Sequence, residues 1–179
     1  MKVEELKGRI SKENIKTLQK YVQKVLKVRT MPFIVDIGTL GGMSAITMAV
    51  VSPDVTVYTI DPNCSPAIKE QCEAMEVSDR VHYYQMNSEE FAPICPEEID
   101  LCFIDGQHDY LGVKADIENI GIKVRKGGFI LFHDVNLYFN TIGKAVREFD
   151  GIHYKFVEEV GGLWTEDEKQ GSIWVGERI

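Results

Sequence analysis

The stretch Phe33-Ile34-Val35-Asp36-Ile37-Gly38-Thr39-Leu40-Gly41-Gly42-Met43-Ser44 runs from an apolar strand ending in an acid, through three glycines, into a helix. A glycine at such a turn tolerates positive φ and lets backbone N–H groups approach a ligand, while the helix N-terminus behind it favours a carboxylate or phosphate. Its spacing argues against a dinucleotide. The fingerprint G-x-G-x-x-G would place its second glycine at Leu40, where a side chain blocks the close approach of a pyrophosphate. What remains is Asp36-x-Gly38-x-x-x-Gly42-x-Ser44, a spacing that a tight strand-to-helix turn in another α/β protein could also carry.

Outward from this turn, strand-like and helical runs alternate. Strands are expected at Phe33 to Ile37, Val55 to Ile60, Val81 to Gln85, Ile99 to Ile104 and Phe129 to Phe132. Between them lie helical stretches at Met43 to Val51, Pro66 to Met75, about Glu89 to Ala92, Tyr110 to Val124 and Thr141 to Phe149, with Lys126-Gly127-Gly128 read as a helix end. Alternation of this kind predicts an α/β fold, a doubly wound, mostly parallel sheet covered on both faces. Upstream, Ser11 can cap a helix whose apolar positions Ile15, Leu18, Val22, Val25 and Leu26 recur at helical spacing. Downstream, His153 to Val160 and Ser172 to Gly176 read as two strands with no helix between them, an antiparallel hairpin.

The 179 residues predict one domain over 1–179, with a helical segment at 1–31 and an α/β core at 32–179. A hydrophobic fraction of 44% with 27% charged residues is that of a soluble protein, and with no apolar signal core at the N-terminus a cytoplasmic location is expected. Cys64, Cys72, Cys95 and Cys102 form no C-x-x-C pair and read as free packing thiols. A formal charge of −8 without a Lys/Arg stripe argues against nucleic acid or a membrane as partner and favours a small molecule.

Ligands of open α/β sheets sit beyond the carboxyl ends of the strands. There Asp61 follows the second strand, 25 residues after Asp36, placed to accept hydrogen bonds from two ribose hydroxyls or simply to open an Asp-Pro-Asn turn. The fourth strand ends Phe103-Ile104-Asp105-Gly106-Gln107-His108-Asp109-Tyr110 and the fifth Phe132-His133-Asp134-Val135. If these strands are neighbours, Asp105 and Asp134 can share one cation, without which they would repel. Mg²⁺ is the simplest candidate, and a nitrogen ligand from His133 would tilt selectivity toward Mn²⁺, Fe²⁺ or Zn²⁺.

The glycine turn resembles motif I of the class I S-adenosylmethionine (SAM) methyltransferases. Together with the two strand ends, residues 33 to 135 resemble a family of small-molecule O-methyltransferases that includes macrolide-sugar methyltransferases and cephalosporin-hydroxylase-like proteins. The resemblance implies a seven-stranded Rossmann-like sheet with its last strand inserted antiparallel. It implies SAM held by Gly38, Thr39, Gly42 and Ser44 at the turn, with Asp36 acting indirectly through the glycine loop or a water, by Asp61 at the ribose, by Asn87 and Ser88 at the adenine unless that pair simply caps the next helix, and beside Asp105. It makes Asp105 and Asp134 ligands of Mg²⁺, with His133 a departure from the family's acidic pair, and His108 the general base. The expected reaction is methyl transfer to a hydroxyl of a small polar acceptor with divalent-metal assistance. An NAD-dependent oxidoreductase, a non-catalytic SAM-binding module and a metal-dependent hydrolase built on His133-Asp134 are the alternatives. His82 and His153 fit no constellation. Trp164 and Trp174 are expected to pack, with Gly161 to Trp164 bordering the substrate pocket, and the lack of a capping insertion raises the expectation that a second copy closes the pocket in a homo-oligomer.

Overall fold

The structure is a computed structural model that describes residues 2–6, 8, 10–162 and 170–179. The expectation for Trp164 falls outside the described residues.

Seven strands form one sheet: β1 (Phe33–Ile37), β2 (Thr56–Ile60), β3 (Val81–Tyr84), β4 (Ile99–Ile104), β5 (Val124–His133), β6 (Tyr154–Gly161) and β7 (Ser172–Arg178). Their order is β3-β2-β1-β4-β5-β7-β6. The first five are mutually parallel. β7 enters antiparallel to β5 and pairs with β6 as the terminal hairpin. Every residue of β4 is buried, as a central strand covered on both faces requires.

Among the described residues six α-helices flank the sheet: α1 (Lys12–Leu26), α2 (Met43–Ala49), α3 (Ala67–Ala74), α4 (Ser88–Phe91), α5 (Tyr110–Asn119) and α6 (Ile142–Phe149). The Ser11 hydroxyl caps α1 by accepting from Asn14 N at 3.1 Å. The buried stripe Ile15, Leu18, Val22 and Val25 then joins α2 and α3 against Ile34, Val57, Leu101 and Leu131. On the other face α4, α5 and α6 pack against Val35, Ile37, Cys102 and Ile104. The four cysteines are free thiols, three of them buried in these cores. Among the described residues no helix is long and apolar enough to cross a membrane.

One expectation is corrected. Lys126-Gly127-Gly128 does not end a helix: α5 stops at Asn119, a 3₁₀ turn covers Gly121–Lys123, and β5 already begins at Val124. The register jumps from Ile99↔Val124 to Leu101↔Phe129, a bulge in β5. Gly127 supplies its positive φ of 73°, and a Cβ on Gly128 would stand 2.9 Å from the Asp100 carbonyl oxygen. The glycines serve a bulge rather than a cap.

Candidate active site

The five parallel strands deliver their carboxyl ends to one side of the sheet. Backbone bonds lace these ends together: Gly38 N donates to Ile60 O at 2.9 Å and Asp105 N to Ile37 O at 2.8 Å. Beyond them opens a cavity of about 1020 Å³, lined among others by Gly38, Asp61, Asn87, Ser88, Asp105, His108, His133 and Asp134. The order in which the chain adds parallel strands reverses between β1 and β4, where an open α/β sheet leaves its crevice.

At the glycine turn Gly38 has φ 100°, and a Cβ there would stand 2.1 Å from the Asp105 carbonyl oxygen. No other residue fits that approach. Leu40 takes φ 43°, unusual for a side-chain-bearing residue, and turns its N–H to Asp61 Oδ2 at 3.0 Å. Asn63 N donates to Asp61 Oδ1 at 2.7 Å. Two backbone donors thus fix the Asp61 carboxylate at the cavity wall, and each oxygen retains acceptor capacity for one of two neighbouring hydroxyls. A bare backbone cradle and a fixed diol acceptor fit the nucleoside and amino-acid parts of SAM.

Asp36 lies beneath the turn and not in the cavity. It is fully buried. Thr59 Oγ1 donates to its Oδ2 at 2.5 Å, and the Thr39 hydroxyl bonds to Thr59 at 2.6 Å, so Asp36 reaches the glycine turn through a chain of hydroxyls. Burial drives its pKa up to about 7, against the hydrogen bonds of Thr59 and Ser44 and with a contribution from the charges of Asp105 and Asp61. Thr39 and Ser44 line a small recess of about 40 Å³ beside Gly38 and Asp105. Gly42, with φ 88°, opens α2 and lines neither cavity. Asn87 caps α4: its Oδ1 accepts from Glu90 N at 2.9 Å while Glu90 Oε2 accepts from Asn87 N at 3.0 Å.

At the β4 and β5 ends two acids and two imidazoles converge. His108 Nε2 stands 3.6 Å from Asp105 Oδ1 and 3.6 Å from Asp134 Oδ2. His133 Nδ1 stands 3.1 Å from Asp105 Oδ1 and 3.2 Å from Asp134 Oδ1. Asp134 holds φ 59°, a left-handed conformation that aspartate tolerates better than most residues. The hydrogen bond to Asp105 raises the His108 pKa above its ordinary value, against burial and with help from the Asp134 and Asp105 charges. Burial would raise the Asp105 pKa, but its bonds to His108 and His133 and their charges hold it below the usual carboxylate range. His108 also packs against the Tyr138 ring, tilted by 41° with centroids 4.6 Å apart.

Asn14, from α1, completes this cluster and had no sequence signal of its own. Its Nδ2 donates to Gly171 O at 2.8 Å and lies 2.9 Å from His133 Nε2. An amide nitrogen only donates, so Nε2 accepts and the ring hydrogen sits on Nδ1, shared between the two acids. Burial works against a charge on His133, and the hydrogen bonds and charges of Asp105 and Asp134 outweigh it, drawing the pKa up to about 10. The donor from Asn14 opposes that charge. Whether the ring is neutral or charged, Nδ1 carries its hydrogen toward the two acids and has no lone pair for a metal, and among the described residues the side chains whose ligand atoms converge, all within 4.8 Å, are Asp105, His108 and Asp134. Two carboxylates and an imidazole are a competent donor set for a divalent cation.

Comparison with known proteins places these features. A family model described as a methyltransferase domain matches residues 35–135. Uncharacterized protein R132 of Acanthamoeba polyphaga mimivirus is 32% identical over 114 residues, covering 58% of this chain and 52% of that protein, so the chain spans about half the length of this curated relative. Among solved structures, an rRNA methylase from Streptococcus thermophilus superposes with a TM-score of 0.75 at 13% identity, over 96% of this chain and 99% of that one. The O-methyltransferase NovP gives 0.72 at 15% identity, over 92% and 78%. An O-methyltransferase family protein from Burkholderia thailandensis gives 0.60 at 15% identity, over 92% and 57%. At these identities the structural likeness shows the shared fold.

Proposed function

The chain belongs to the methyltransferase-domain family, and from that premise we propose that it is a SAM-dependent methyltransferase acting on a hydroxyl of a small polar acceptor, with His108 as general base and a divalent cation on Asp105 and Asp134. The observation that carries this reading is the position of His108 Nε2, 3.6 Å from an oxygen of each acid, on the same cavity as Gly38 and Asp61.

SAM supplies an electrophilic methyl group, and a divalent cation supplies a Lewis acid that lowers the pKa of a bound hydroxyl. Asp61 fixes the ribose, and the turn at Gly38 admits the backbone side of the cofactor. Asp105 and Asp134 present carboxylate oxygens toward the acceptor side, where His133 Nδ1–H holds both in place. His108, half-exposed and packed against Tyr138, receives the hydroxyl proton on Nε2. Holding the acceptor oxygen in line with the methyl group contributes most, since effective molarities of roughly 10⁵ M or more are attainable for well-oriented reactants. The acidic rim repels polyanions, which supports a neutral or cationic small acceptor and a protein that acts without nucleic acid.

The test is His108→Ala, assayed for methyl transfer and for binding of S-adenosylhomocysteine and Mn²⁺. Transfer should be abolished with both ligands still bound. Loss of Mn²⁺ binding would make His108 a ligand rather than the base, and full activity in EDTA would remove the cation from the mechanism.

A further inference from the structure

The cavity wall between β3 and α5 contains an acid that methyl transfer does not use. Asp116 lies on the inner face of α5, 8% exposed, next to the fully buried Ile117. It lines the cavity with Met86, Ser88, Ala115 and Asn119. Its carboxyl group presses against the turn after β4, where a Cβ on Gly106 would come within 3.2 Å of Asp116 Oδ2. Burial, its largest influence, moves the pKa up to about 6; the Ser88 hydroxyl opposes this and the charge of Asp109 adds to it, and no cation enters the balance. An acid buried without a cation is costly. On a cavity wall such a group is a candidate for ligand recognition.

The neighbouring strand end leaves that role open. The resemblance of the sequence assigned the adenine contact to Asn87 and Ser88, and the Asn87 side chain is held as the cap of α4, its oxygen accepting from Glu90 N. With Asp61 at the ribose and the glycine turn on the amino-acid side, the wall of Met86, Ser88, Ala115 and Asp116 is a stretch of the same cavity open to a purine.

Resting on the SAM reading above, we propose that Asp116 recognises the purine edge, accepting a hydrogen bond from the exocyclic amine of adenine beside the Ser88 hydroxyl. Adenine presents an N–H donor at its amine and an acceptor at N1. The carboxylate accepts from the amine, and the Ser88 hydroxyl, whose single proton faces Asp116 in the free protein, meets N1 by turning its O–H to the ring. Hypoxanthine reverses the pattern, with a carbonyl oxygen where adenine has the amine, and would set oxygen against oxygen.

The experiment is calorimetric titration of the wild-type protein and Asp116→Asn with S-adenosylhomocysteine and S-inosylhomocysteine. The substitution is isosteric and removes a buried charge, so folding is retained, and thermal unfolding checks it. Wild type should prefer the adenine ligand by on the order of 10- to 100-fold, the worth of a buried bond to a charged group. In Asp116→Asn the adenine ligand should weaken roughly 10-fold, while the hypoxanthine ligand, now met by an amide donor, holds or improves. Equal weakening of both ligands, or no change in either, would make Asp116 a structural wall and overturn the assignment. Failure of wild type to bind S-adenosylhomocysteine at all would defeat the SAM reading itself and this assignment with it.

Discussion

Gly38→Ala is the substitution this site should tolerate least. The new Cβ would stand 2.1 Å from the Asp105 carbonyl oxygen, 2.5 Å from its carbon and 3.0 Å from Gly106 N, all backbone atoms that cannot swing aside. The residue would also keep φ near 100°. Left-handed backbone costs a residue with a side chain about 1–2 kcal/mol, and overpacking about 1–3 kcal/mol, so the sum is about 2–5 kcal/mol. Against a total stability of about 5–15 kcal/mol for a domain this is severe. At roughly 2–4 °C per kcal/mol for a chain of this size, the midpoint should fall by roughly 5–20 °C. Gly151→Ala is the control, because Gly151 has φ 74° with nothing within 4 Å of the added Cβ, leaving only the backbone term. Urea and thermal unfolding of both variants isolate the contact by difference. If Gly38→Ala unfolds no more easily than Gly151→Ala, the close approach of β1 and β4 at the glycine turn is wrong.

Three further outcomes follow from the same geometry. In the metal-free protein the His108 imidazole should titrate above its ordinary value, and Asp105→Asn should bring that midpoint down, read from its NMR shifts; any stabilisation from the His108–acid pairs is present at low pH and lost as pH rises through the same pKa. Asn14→Leu removes the donor to Gly171 O and the partner of His133 Nε2, which should cost about 1–3 kcal/mol by urea unfolding. Asp100, fully buried, accepts from Phe33 N at 2.8 Å and pairs with Arg125 and Arg29 at the base of β1. Asp100→Ala should cost about 3 kcal/mol by urea unfolding, the lower end for a broken buried pair because both arginines are partly exposed.

Strands such as Ile99–Ile104 were legible because six consecutive buried residues leave an apolar run that turn signals bound on either side. The hairpin was legible because no helical period separates its strands. Lys126-Gly127-Gly128 misled because a bulge and a helix cap draw on the same property of glycine, and only the partner strand distinguishes them. In the site, Asp105, His108 and Asp134 were legible since strand ends of a parallel sheet must meet. Asn14 was not: nothing local announces that the first turn of α1 will reach β5, a contact across 119 positions of sequence. Asp116 shows in the sequence only as a charged residue beside Ile117 on the apolar side of its helix, a pattern that does not say what it faces.

The measurement that tests the central claim most directly is titration of S-adenosylhomocysteine and NAD into wild type and Asp61→Ala. Wild type should bind S-adenosylhomocysteine with a micromolar Kd, near −8 kcal/mol, and ignore NAD, while Asp61→Ala, having lost the carboxylate fixed by Leu40 and Asn63, should bind roughly 10-fold or more weakly. NAD binding alone, or an Asp61→Ala protein that binds as wild type does, would contradict it.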